Sequence, residues 1–405
     1  MSPAVTHRFG ILFGALLVLV LAGGAWAQEP AGHAPLLDAE GFLRASSGRP
    51  VVLPADHGSH PDTRTEWWYL TGPLEGPDGE RFGFQATWFR RALVREQPAG
   101  RSPLAVRDVL LFHGVLTEVA TGRLHFTEQA SRAYDPWAWA ATDRLDVGVF
   151  ANVLQDEAGD GRRARLVMGD AHADEGPWTL ELELDLTATA PLLHGSEPGL
   201  SIKGREEGQA SWYYTLPAIA VTGRLLRDDR PTLPLTGRAW MDHEFGSSQL
   251  EAGQEGWDWF SVVLDDGSEL MLYQMRRPGG VADVTSSGTL RTADGRRRHL
   301  VRDDFSIEPE GRWTSPRTGF EYPSGWVLRV PGEDLELRVT PALPDQELET
   351  PGTTGVTYWE GLCGFEGTRA GAPVRGEGYV ELVGYGDPIA DRFLAAGSGD
   401  ADEAP

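Results

Sequence analysis

The stretch that decides the fold is Trp240-Met241-Asp242-His243-Glu244, followed twelve positions on by Gly256-Trp257-Asp258-Trp259-Phe260. Large aromatic residues mixed with a histidine and several carboxylates are unusual for a plain strand, because neighbours of buried indoles normally cost little to desolvate. The mixture predicts an apolar pocket that contains a titratable spot. The alternative interpretation is a turn region whose acids face water.

Two hairpins with similar signals flank this region of the chain. Each opens with a Trp-x-aromatic triplet, turns at an Asp-Gly pair and ends in a pair of arginines. The first runs over 67–74, turns at Pro77-Asp78-Gly79 and returns over 81–89, and the second runs over 257–264, turns at Asp265-Asp266-Gly267 and returns over 269–275. A further hairpin is predicted over 326–330 and 335–339, and alternation predicts a half-buried strand over 180–186.

A second correspondence indicates an internal duplication. Ser211-Trp212-Tyr213 with the stretch 237–242 matches Tyr358-Trp359-Glu360 with the stretch 376–381. Because the same signals recur in the same order, we infer two homologous units, one over 50–248 and one over 249–388. The first unit is expected to carry an insertion near 132–176. Chance similarity between β-rich segments is the alternative.

The fold class predicted from these patterns is all-β. Turn residues are abundant and helical periodicity is nearly absent, so each unit has many hairpins and few helices. Closing a sheet into a barrel removes its edges, and small open-mouthed barrels hold apolar ligands. We therefore expect each unit to close into an antiparallel β-barrel. A β-sandwich is the competing architecture, but the high tryptophan content of each unit favours a lined cavity.

The N-terminal residues predict export. His7 and Arg8 precede an apolar run over 11–22, and Ala25-Trp26-Ala27 offers the small residues that a signal peptidase recognises. The run is too short for a comfortable membrane span. We expect a signal peptide over 1–27, an extension over 28–49 and a disordered acidic tail over 389–405, and we expect a periplasmic or extracellular location. Cys363 is the only cysteine, so no internal disulfide can form.

The charge of the chain excludes some partners. Removal of residues 1–27 takes away one arginine and no acid, which leaves 35 basic and 60 acidic residues and a net charge of −25. A field of this sign repels nucleic acid and anionic lipid headgroups, so neither is an expected partner. Motifs of common hydrolases, nucleotide enzymes and zinc proteases are absent, namely Gly-x-Ser-x-Gly, the phosphate loop and His-Glu-x-x-His.

His243 is the residue on which the functional prediction concentrates. On an extended strand Trp240, Asp242 and Glu244 point to one side, whereas Met241 and His243 point to the other. In the duplication Met241 aligns with Val380 and His243 with Leu382, so His243 is predicted to occupy an interior position. A buried histidine near acids can donate or accept a proton or bind a metal. The alternative is a structural histidine bonded to a backbone carbonyl.

The segment Asp56-His57-Gly58-Ser59-His60-Pro61-Asp62 contains two histidines and two acids. Such residues bind metals, but the irregular backbone makes the spacing weak evidence and no third histidine or matching cysteine fixes a site. We expect no metal here and favour a polar connection that folds over the barrel mouth.

An aromatic set is predicted to bind a hydrophobic ligand. Core filling is the alternative for any single ring. Tyr213 and Tyr214 are positioned to donate phenolic hydrogen bonds into such a cavity. The residues predicted to contact the ligand are Trp67, Trp68, Tyr69, Trp88, Trp212, Trp257, Trp259 and Tyr273.

The motifs together resemble the carotenoid 1,2-hydratase and AttH-like family. The resemblance is carried by the stretch 57–69, by Ala239–Glu244 with 256–260, and by Gly378-Tyr379-Val380-Glu381-Leu382. It covers nearly all of the mature chain and implies two lipocalin-like barrels side by side. For the hydratase branch it also implies addition of water to a terminal isoprenoid double bond without a redox cofactor. No cofactor is therefore expected.

Hydration of a trisubstituted alkene requires an acid, tolerance of a tertiary cation and delivery of water. Asp242 or His243 is the candidate acid, the faces of Trp67 or Trp257 would stabilise the cation, and another carboxylate would activate water. The full predicted catalytic set is His243, Asp242, Glu244, Asp258 and Tyr214.

Two departures from the family pattern favour its exported AttH-like branch. Phe245 stands where many relatives have tryptophan, and the chain carries an export signal. The predicted ligand is a lipid or an isoprenoid. The alternative function is a non-catalytic carrier or chaperone of such molecules that works with an envelope ABC transporter. Because Leu382 replaces His243 in the sister strand, the histidine breaks the symmetry of the duplication and is the preferred functional residue.

Overall fold

The computed structural model describes residues 35–96, 105–173, 176–228, 230–248 and 250–386. The predicted signal peptide and the predicted acidic tail lie outside the described residues. Throughout these ranges the only helices are single 3₁₀ turns, and none is long and apolar enough to cross a membrane. The turns are Ala55–His57, Leu186–Ala188, Pro278–Gly280, Arg302–Asp304 and Pro331–Glu333.

The first large sheet is antiparallel and is built from the first thirteen strands. In spatial order its main path is β4-β3-β2-β1-β13-β12-β9-β8-β7-β6-β5, with β10 and β11 paired to β12. The strands are β1 (Thr65–Glu75), β2 (Arg81–Ala92), β3 (Asp108–Glu118), β4 (Arg123–Arg132), β5 (Ala138–Ala140), β6 (Asp146–Val149), β7 (Asn152–Gln155), β8 (Arg163–Asp170), β9 (Trp178–Asp185), β10 (Leu192–Leu193), β11 (Leu200–Ile202), β12 (Ala210–Arg227) and β13 (Arg230–Ser248).

The second large sheet follows the order β18-β17-β15-β14-β26-β25-β23-β22-β19, with β16 paired to β15 and β24 to β25. Strands β20 and β21 form a separate hairpin. The strands are β14 (Gly256–Leu264), β15 (Glu269–Arg277), β16 (Val281–Ala282), β17 (Ser287–Arg291), β18 (Arg297–Val301), β19 (Ser306–Pro309), β20 (Arg312–Thr314), β21 (Glu321–Pro323), β22 (Trp326–Val330), β23 (Leu335–Pro341), β24 (Glu347–Glu349), β25 (Thr357–Arg369) and β26 (Ala372–Val383).

The two sheets repeat one topology, which confirms the all-β, duplicated fold. The order β4-β3-β2-β1-β13-β12-β9-β8-β7 corresponds strand by strand to the complete path of the second sheet. The two predicted turns of the opening hairpins are also equivalent, because Gly79 and Gly267 share a left-handed φ of 82°. This region of φ is open to glycine at little steric cost.

Two details of the predicted duplication are wrong. Opposite β13 the strand β12 pairs Tyr213 with Glu244, and opposite β26 the strand β25 pairs Tyr358 with Val383. Tyr213 is therefore the equivalent of Tyr358, two residues from the match inferred from sequence, which preserves the side on which each residue lies. The region 132–176 is also only partly an insertion, because β7 and β8 have counterparts in β19 and β22.

Each sheet curls around its own apolar core. In the first sheet β7 returns to the opposite edge, where the Asn152 side-chain amide donates to Gln129 Oε1 at 2.9 Å. The Trp88 indole N–H also crosses the interior to the Asn152 carbonyl at 3.0 Å. In the second sheet Arg298 of β18 binds Glu333 beside β22 at 3.0 Å. The enclosed cores are rich in leucine, valine and aromatic residues, so burial of these side chains stabilises each curled sheet.

The outer faces of the two sheets meet along a contact that we call the seam. It is formed by the faces of β1, β2, β12 and β13 on one side and of β14, β15, β25 and β26 on the other. An aromatic and methionine cluster fills it, including Tyr69, Tyr213, Trp240, Trp259 and Tyr379. The seam thus buries residues that would be solvent-facing in a barrel standing alone.

Candidate functional site

Strand β13 separates two buried polar clusters. It pairs with β1 so that Trp68 faces His243 and Tyr69 faces Asp242 across the ladder. Because side chains alternate along a strand, His243 lies inside the first barrel and Asp242 lies in the seam. His243 is fully buried and Asp242 is 3% exposed. The predicted interior position of His243 is confirmed.

The inner cluster is centred on His243. Its Nε2 lies 3.1 Å from Glu66 Oε1, and its Nδ1 lies 2.9 Å from the Asp56 carbonyl and 3.1 Å from Tyr214 Oη. The Trp68 indole stacks on the imidazole at 4.8 Å between ring centroids. Burial lowers the pKa of His243, because the charged imidazolium is costly in this apolar setting.

Two more histidines complete the inner cluster. His57 Nδ1 lies 2.6 Å from Tyr214 Oη, and burial, together with the nearby His243, lowers the pKa of His57 to about 4. His60 Nδ1 lies 2.7 Å from Glu66 Oε1, and its Nε2 lies 3.1 Å from Asp56 Oδ1. Burial opposes a charge on His60, but its hydrogen bonds to the two carboxylates outweigh this cost and raise its pKa.

Glu66 is the hub of the inner cluster. Its Oε2 accepts from Arg90 Nε at 2.9 Å and from Ser59 Oγ at 2.8 Å. Burial would favour the neutral acid, but Arg90 and the hydrogen bonds from His243 and His60 hold the pKa of Glu66 well below its usual range. Arg90 also binds Asp108 at 3.1 Å, so the guanidinium is neutralised inside the barrel.

The seam cluster is centred on Asp242. Its Oδ2 bonds to Tyr213 Oη at 2.6 Å, and its Oδ1 bonds to the Trp240 indole N–H at 2.8 Å and to the Thr215 hydroxyl. Burial raises the pKa of Asp242 to about 7, and these hydrogen bonds only partly oppose it. Both protonation states are therefore populated near neutral pH.

Aromatic rings surround Asp242. The Trp259 indole N–H donates to Tyr213 Oη at 3.2 Å, and Trp259 packs edge-on against Tyr69 at 5.3 Å and against Trp240 at 6.2 Å. These rings come from both sheets, so the setting of the carboxyl group is assembled only when the seam forms. Aromatic faces attract cations, which gives this wall a chemical use beyond packing.

Further ionisable groups lie in the seam beside Glu244. Lys203 Nζ lies 3.4 Å from Glu244 Oε1 and 4.1 Å above the Tyr273 ring. Ser211 Oγ donates to the same carboxylate at 2.6 Å. Burial would lower the pKa of Lys203, but Glu244 and its surroundings raise it, so the ammonium stays charged.

The second sheet brings a pair of glutamates to the seam. Glu360 of β25 and Glu381 of β26 are direct cross-strand partners. Burial, and the mutual repulsion of the two carboxylates, raise the pKa of Glu360 well above its usual range, and burial raises the pKa of Glu381 to about 7. The Trp257 indole N–H donates to Glu381 Oε2 at 3.0 Å. Because each charge opposes the other, the two carboxyl groups do not readily ionise together.

A narrow groove enters the seam between equivalent strand pairs. It has a volume of about 20 Å³ and is lined from β1 and β13 on one side and from β14 and β26 on the other, with Trp240 facing Tyr379. The Tyr379 hydroxyl is buried without a hydrogen-bond partner among the described residues. This volume holds roughly one water molecule, so entry of a larger ligand requires the sheets to separate here.

The structure divides the predicted site residues into three groups. His243 and Tyr214 meet inside the first barrel, whereas Asp242 and Glu244 lie in the seam. Asp258 lies apart from both, inside the second barrel, where it binds Arg276 at 2.9 Å and Tyr385 at 3.0 Å. The predicted catalytic residues thus lie in three separate places, and the opposite orientation of His243 and Asp242 is the one expected from alternation along the strand.

The predicted aromatic set divides in the same way. Trp68 and Trp88 are packed in the first core, and Trp212 packs against Phe245 near the N-terminal segment. The members that lie in the seam are Trp67, Tyr69, Trp257, Trp259 and Tyr273.

Several polar residues of the two clusters were not singled out from sequence. They are Glu66, Lys203, Thr215, Glu360 and Glu381. Glu66 directly precedes the double tryptophan, and Lys203 is the only lysine of the chain. The position of Glu66 beside the motif and the rarity of lysine were the signals in the sequence that could have identified these two residues. Their partners are brought close only by strand pairing over long sequence separations, which spacing does not reveal.

The fold and the site define a member of a known family. The AttH-like family matches residues 44–385, which is most of the chain, and the chain therefore belongs to the AttH-like family. No curated protein matches the chain.

Among the solved structures that are similar to this chain are two whose likeness extends over most of its length. One is a protein assigned as AttH from Nitrosomonas europaea, solved at 2.00 Å, with 34% identity and a TM-score of 0.73 over 85% of this chain and 100% of that one. The other is kievitone hydratase from Nectria haematococca, with 19% identity and a TM-score of 0.63 over 86% of this chain and 97% of that one. The second likeness concerns the fold.

Proposed function

We propose that this protein is a hydratase-type lyase that adds water to a carbon–carbon double bond of a hydrophobic ligand, which enters the seam when the two sheets separate at the groove. The observation that carries the proposal is the Asp242 carboxyl group, whose pKa is raised to about 7 inside an aromatic wall. A carboxylic acid that stays protonated near neutral pH can donate a proton to a weak base such as an alkene. The likeness of fold to a kievitone hydratase supports the reaction class.

The reaction begins with proton transfer from Asp242. The π electrons of the double bond form a new C–H bond with this proton, and the neighbouring carbon becomes a carbocation. The Trp240 indole N–H points at the carboxyl group, and the Trp259 ring packs against Trp240 at an interplanar angle of 78°. A face of one of these rings would stabilise the positive charge. Since a tertiary cation is the most accessible, a substituted isoprenoid-type alkene is the favoured substrate class.

Water completes the reaction by attack on the cation. Its oxygen forms the C–O bond, and the surplus proton passes to a carboxylate. Glu381 supplies this acceptor, because a carboxyl group whose pKa is raised to about 7 can take up a proton near neutral pH. A second proton transfer then restores protonated Asp242, so no redox cofactor takes part.

The decisive experiment compares Asp242→Asn with His243→Asn. The protein is incubated with linear isoprenoid alkenes of graded length in isotopically labelled water, and the alcohol product is measured by mass spectrometry. Asp242→Asn keeps the side-chain shape but removes the proton, so turnover should fall by about 10²–10⁴-fold. His243→Asn changes the other face of the same strand and is expected to lower turnover far less.

Ligand binding provides the control in this experiment. Quenching of tryptophan fluorescence by the same alkenes should be retained in Asp242→Asn, because the variant leaves the aromatic wall intact. Full turnover in Asp242→Asn would refute the assignment of the acid. Binding without any labelled product in the wild-type protein would refute catalysis and support the alternative function, a carrier of lipophilic molecules that serves an envelope ABC transporter.

We also propose that the protein is exported and acts in the periplasm or outside the cell. The support is the charged start, apolar run and small-residue cleavage site in residues 1–27. N-terminal sequencing of the protein from the periplasmic fraction should begin near Gln28. Recovery of the uncleaved chain in the cytoplasm would refute this location.

A further inference from the structure

The donor atoms of His60, Glu66 and His243 converge inside the first barrel in the manner of a metal site. One ring nitrogen of each histidine and a Glu66 carboxylate oxygen all lie within 4.8 Å of one another, and the nitrogens that face Glu66 Oε1 are His60 Nδ1 at 2.7 Å and His243 Nε2 at 3.1 Å. Two imidazole nitrogens and one carboxylate form a ligand set that suits Zn²⁺. In a tetrahedral zinc site with bonds of about 2.0–2.1 Å, donor atoms stand roughly 3.3 Å apart. The donors present are thus near the required separation and need movements of about 0.5 to 1.5 Å.

The groups behind these donors match what metal ligands require. A ligating histidine normally donates its other ring N–H to a carboxylate or a backbone carbonyl. His60 directs its remaining nitrogen to Asp56 Oδ1 at 3.1 Å, and His243 directs its remaining nitrogen to the Asp56 carbonyl at 2.9 Å. One residue therefore orients both imidazoles, and each ring presents its other nitrogen to the same point.

Hydrogen bonds also fix the orientation of the carboxylate ligand. Glu66 Oε2 accepts hydrogen bonds from Arg90 and Ser59 at 2.9 and 2.8 Å, and the His60 backbone N–H donates to both carboxylate oxygens at 3.0 Å. Its Oε1 also faces the two imidazoles, 2.7 Å from His60 Nδ1 and 3.1 Å from His243 Nε2. The outer side of the site is His60, whose side chain is 14% exposed, whereas the side chains of Glu66 and His243 are fully buried. An ion would therefore enter past His60.

The geometry points to a zinc site formed by His60 Nδ1, Glu66 Oε1 and His243 Nε2, with Asp56 orienting both histidines. Three protein ligands leave a fourth position for a water molecule. The site would tie the segment before β1 to strand β13. It lies on the face of β13 opposite Asp242, and it does not depend on the proposed hydratase activity.

The binding test uses the whole chain after treatment with a chelator. Isothermal titration with Zn²⁺ should show one equivalent bound, and Co²⁺ in its place should give the strong visible absorption of a tetrahedral site. His60→Ala and Glu66→Gln should each abolish this site. Asp56→Asn leaves the ligands in place but removes the carboxylate partner of His60, so affinity should fall by about 10–100-fold.

Controls separate this site from general histidine binding. His125→Ala removes a histidine that binds Glu118 elsewhere on the first barrel, and it should leave the stoichiometry and affinity unchanged. Thermal unfolding offers a second readout, because Zn²⁺ should raise the Tm of the wild-type protein and of His125→Ala but not of His60→Ala. Absence of Zn²⁺ binding in the wild-type chain, or unchanged binding in His60→Ala and Glu66→Gln, would overturn the proposal.

Discussion

The interior of the first barrel and the equivalent position in the second barrel are filled by side chains of different polarity. Around β13 the first barrel buries His243 between Tyr214 and Trp68, whereas around β26 the second barrel places Leu382 between Trp359 and Asp258. The backbone pairing is the same in both places. The duplicated scaffold therefore tolerates either an apolar or a polar side chain at this point.

The polar filling depends on a segment outside the repeated sheet. Asp56, His57, Ser59 and His60 all precede β1 and bring the groups that bind Glu66, Tyr214 and His243. In the second barrel the comparable ion pair of Asp258 and Arg276 is closed by Tyr385, which follows β26. The segment before β1 thus contributes polar groups to the interior of the first barrel, whereas the arrangement of strands around them is common to both barrels.

The largest expected effect comes from removal of the hub of the inner cluster. Glu66→Ala leaves Arg90 and His60 buried without their shared carboxylate, and we expect a loss of about 3–5 kcal/mol in the free energy of unfolding. The measurement is urea denaturation followed by tryptophan fluorescence.

The matched variant for this test is Asp258→Ala in the second barrel. Asp258 has two side-chain partners, Arg276 and Tyr385, whereas Glu66 has four, so the loss should be smaller. If Asp258→Ala proves the more destabilising of the two, the contrast drawn between the barrels does not hold.

The next largest effect is expected in the pH dependence of the free energy of unfolding, through Asp242 on the seam face of β13. The pKa of Asp242 rises from 3.8 to about 7 on folding, so its contribution to stability is full below about pH 4 and is lost as pH rises through about 7. The full change corresponds to roughly 4 kcal/mol at most. Asp242→Asn should therefore flatten the decline in stability between pH 4 and 8, as measured by denaturation at a series of pH values.

Glu381, whose pKa is also raised to about 7, provides the comparison in the sister strand. Glu381→Gln should remove a further part of the same decline. An unchanged pH profile in both variants would mean that the seam carboxyl groups ionise as freely in the folded protein as in the unfolded chain.

The smallest effect is expected at the rim where the two sheets meet. Arg81 of β2 and Glu377 of β26 form an ion pair across the seam, but both side chains are exposed, at 51% and 36%. Exposed pairs contribute little, so Glu377→Gln should change the free energy of unfolding by less than about 1 kcal/mol. A loss of several kcal/mol would show that the barrels depend on their rim charges rather than on the aromatic contact.

Much of this fold could be predicted from short-range patterns. The alternation along β9, observed over Trp178–Asp185, and the Asp-Gly turns of both opening hairpins are confirmed, because strand period and turn chemistry are local properties. The interior position of His243 could be predicted from its alignment with Leu382. The duplication supplied that comparison within one sequence.

The partners of His243 could not be predicted from the sequence in the same way. Glu66 lies 177 residues away and meets His243 only because β1 pairs with β13. Likewise the segment 56–62 offered two histidines without a third ligand, and the two residues that join His60 in the proposed zinc site, Glu66 and His243, lie on strands that follow the segment. Spacing along the chain cannot report such contacts, since they are set by the order of strands in the sheet.

The two faces of strand β13 line two different environments, the interior of the first barrel and the seam. A shift of its register by a single position would send Asp242 into the barrel core and His243 into the seam, and would exchange every neighbouring side chain with them. Changes of length are therefore harmful within this strand and harmless only in the loops beyond it. In descendants of this chain we expect the spacing from Trp240 to Phe245 to stay fixed while the connecting loops lengthen and shorten.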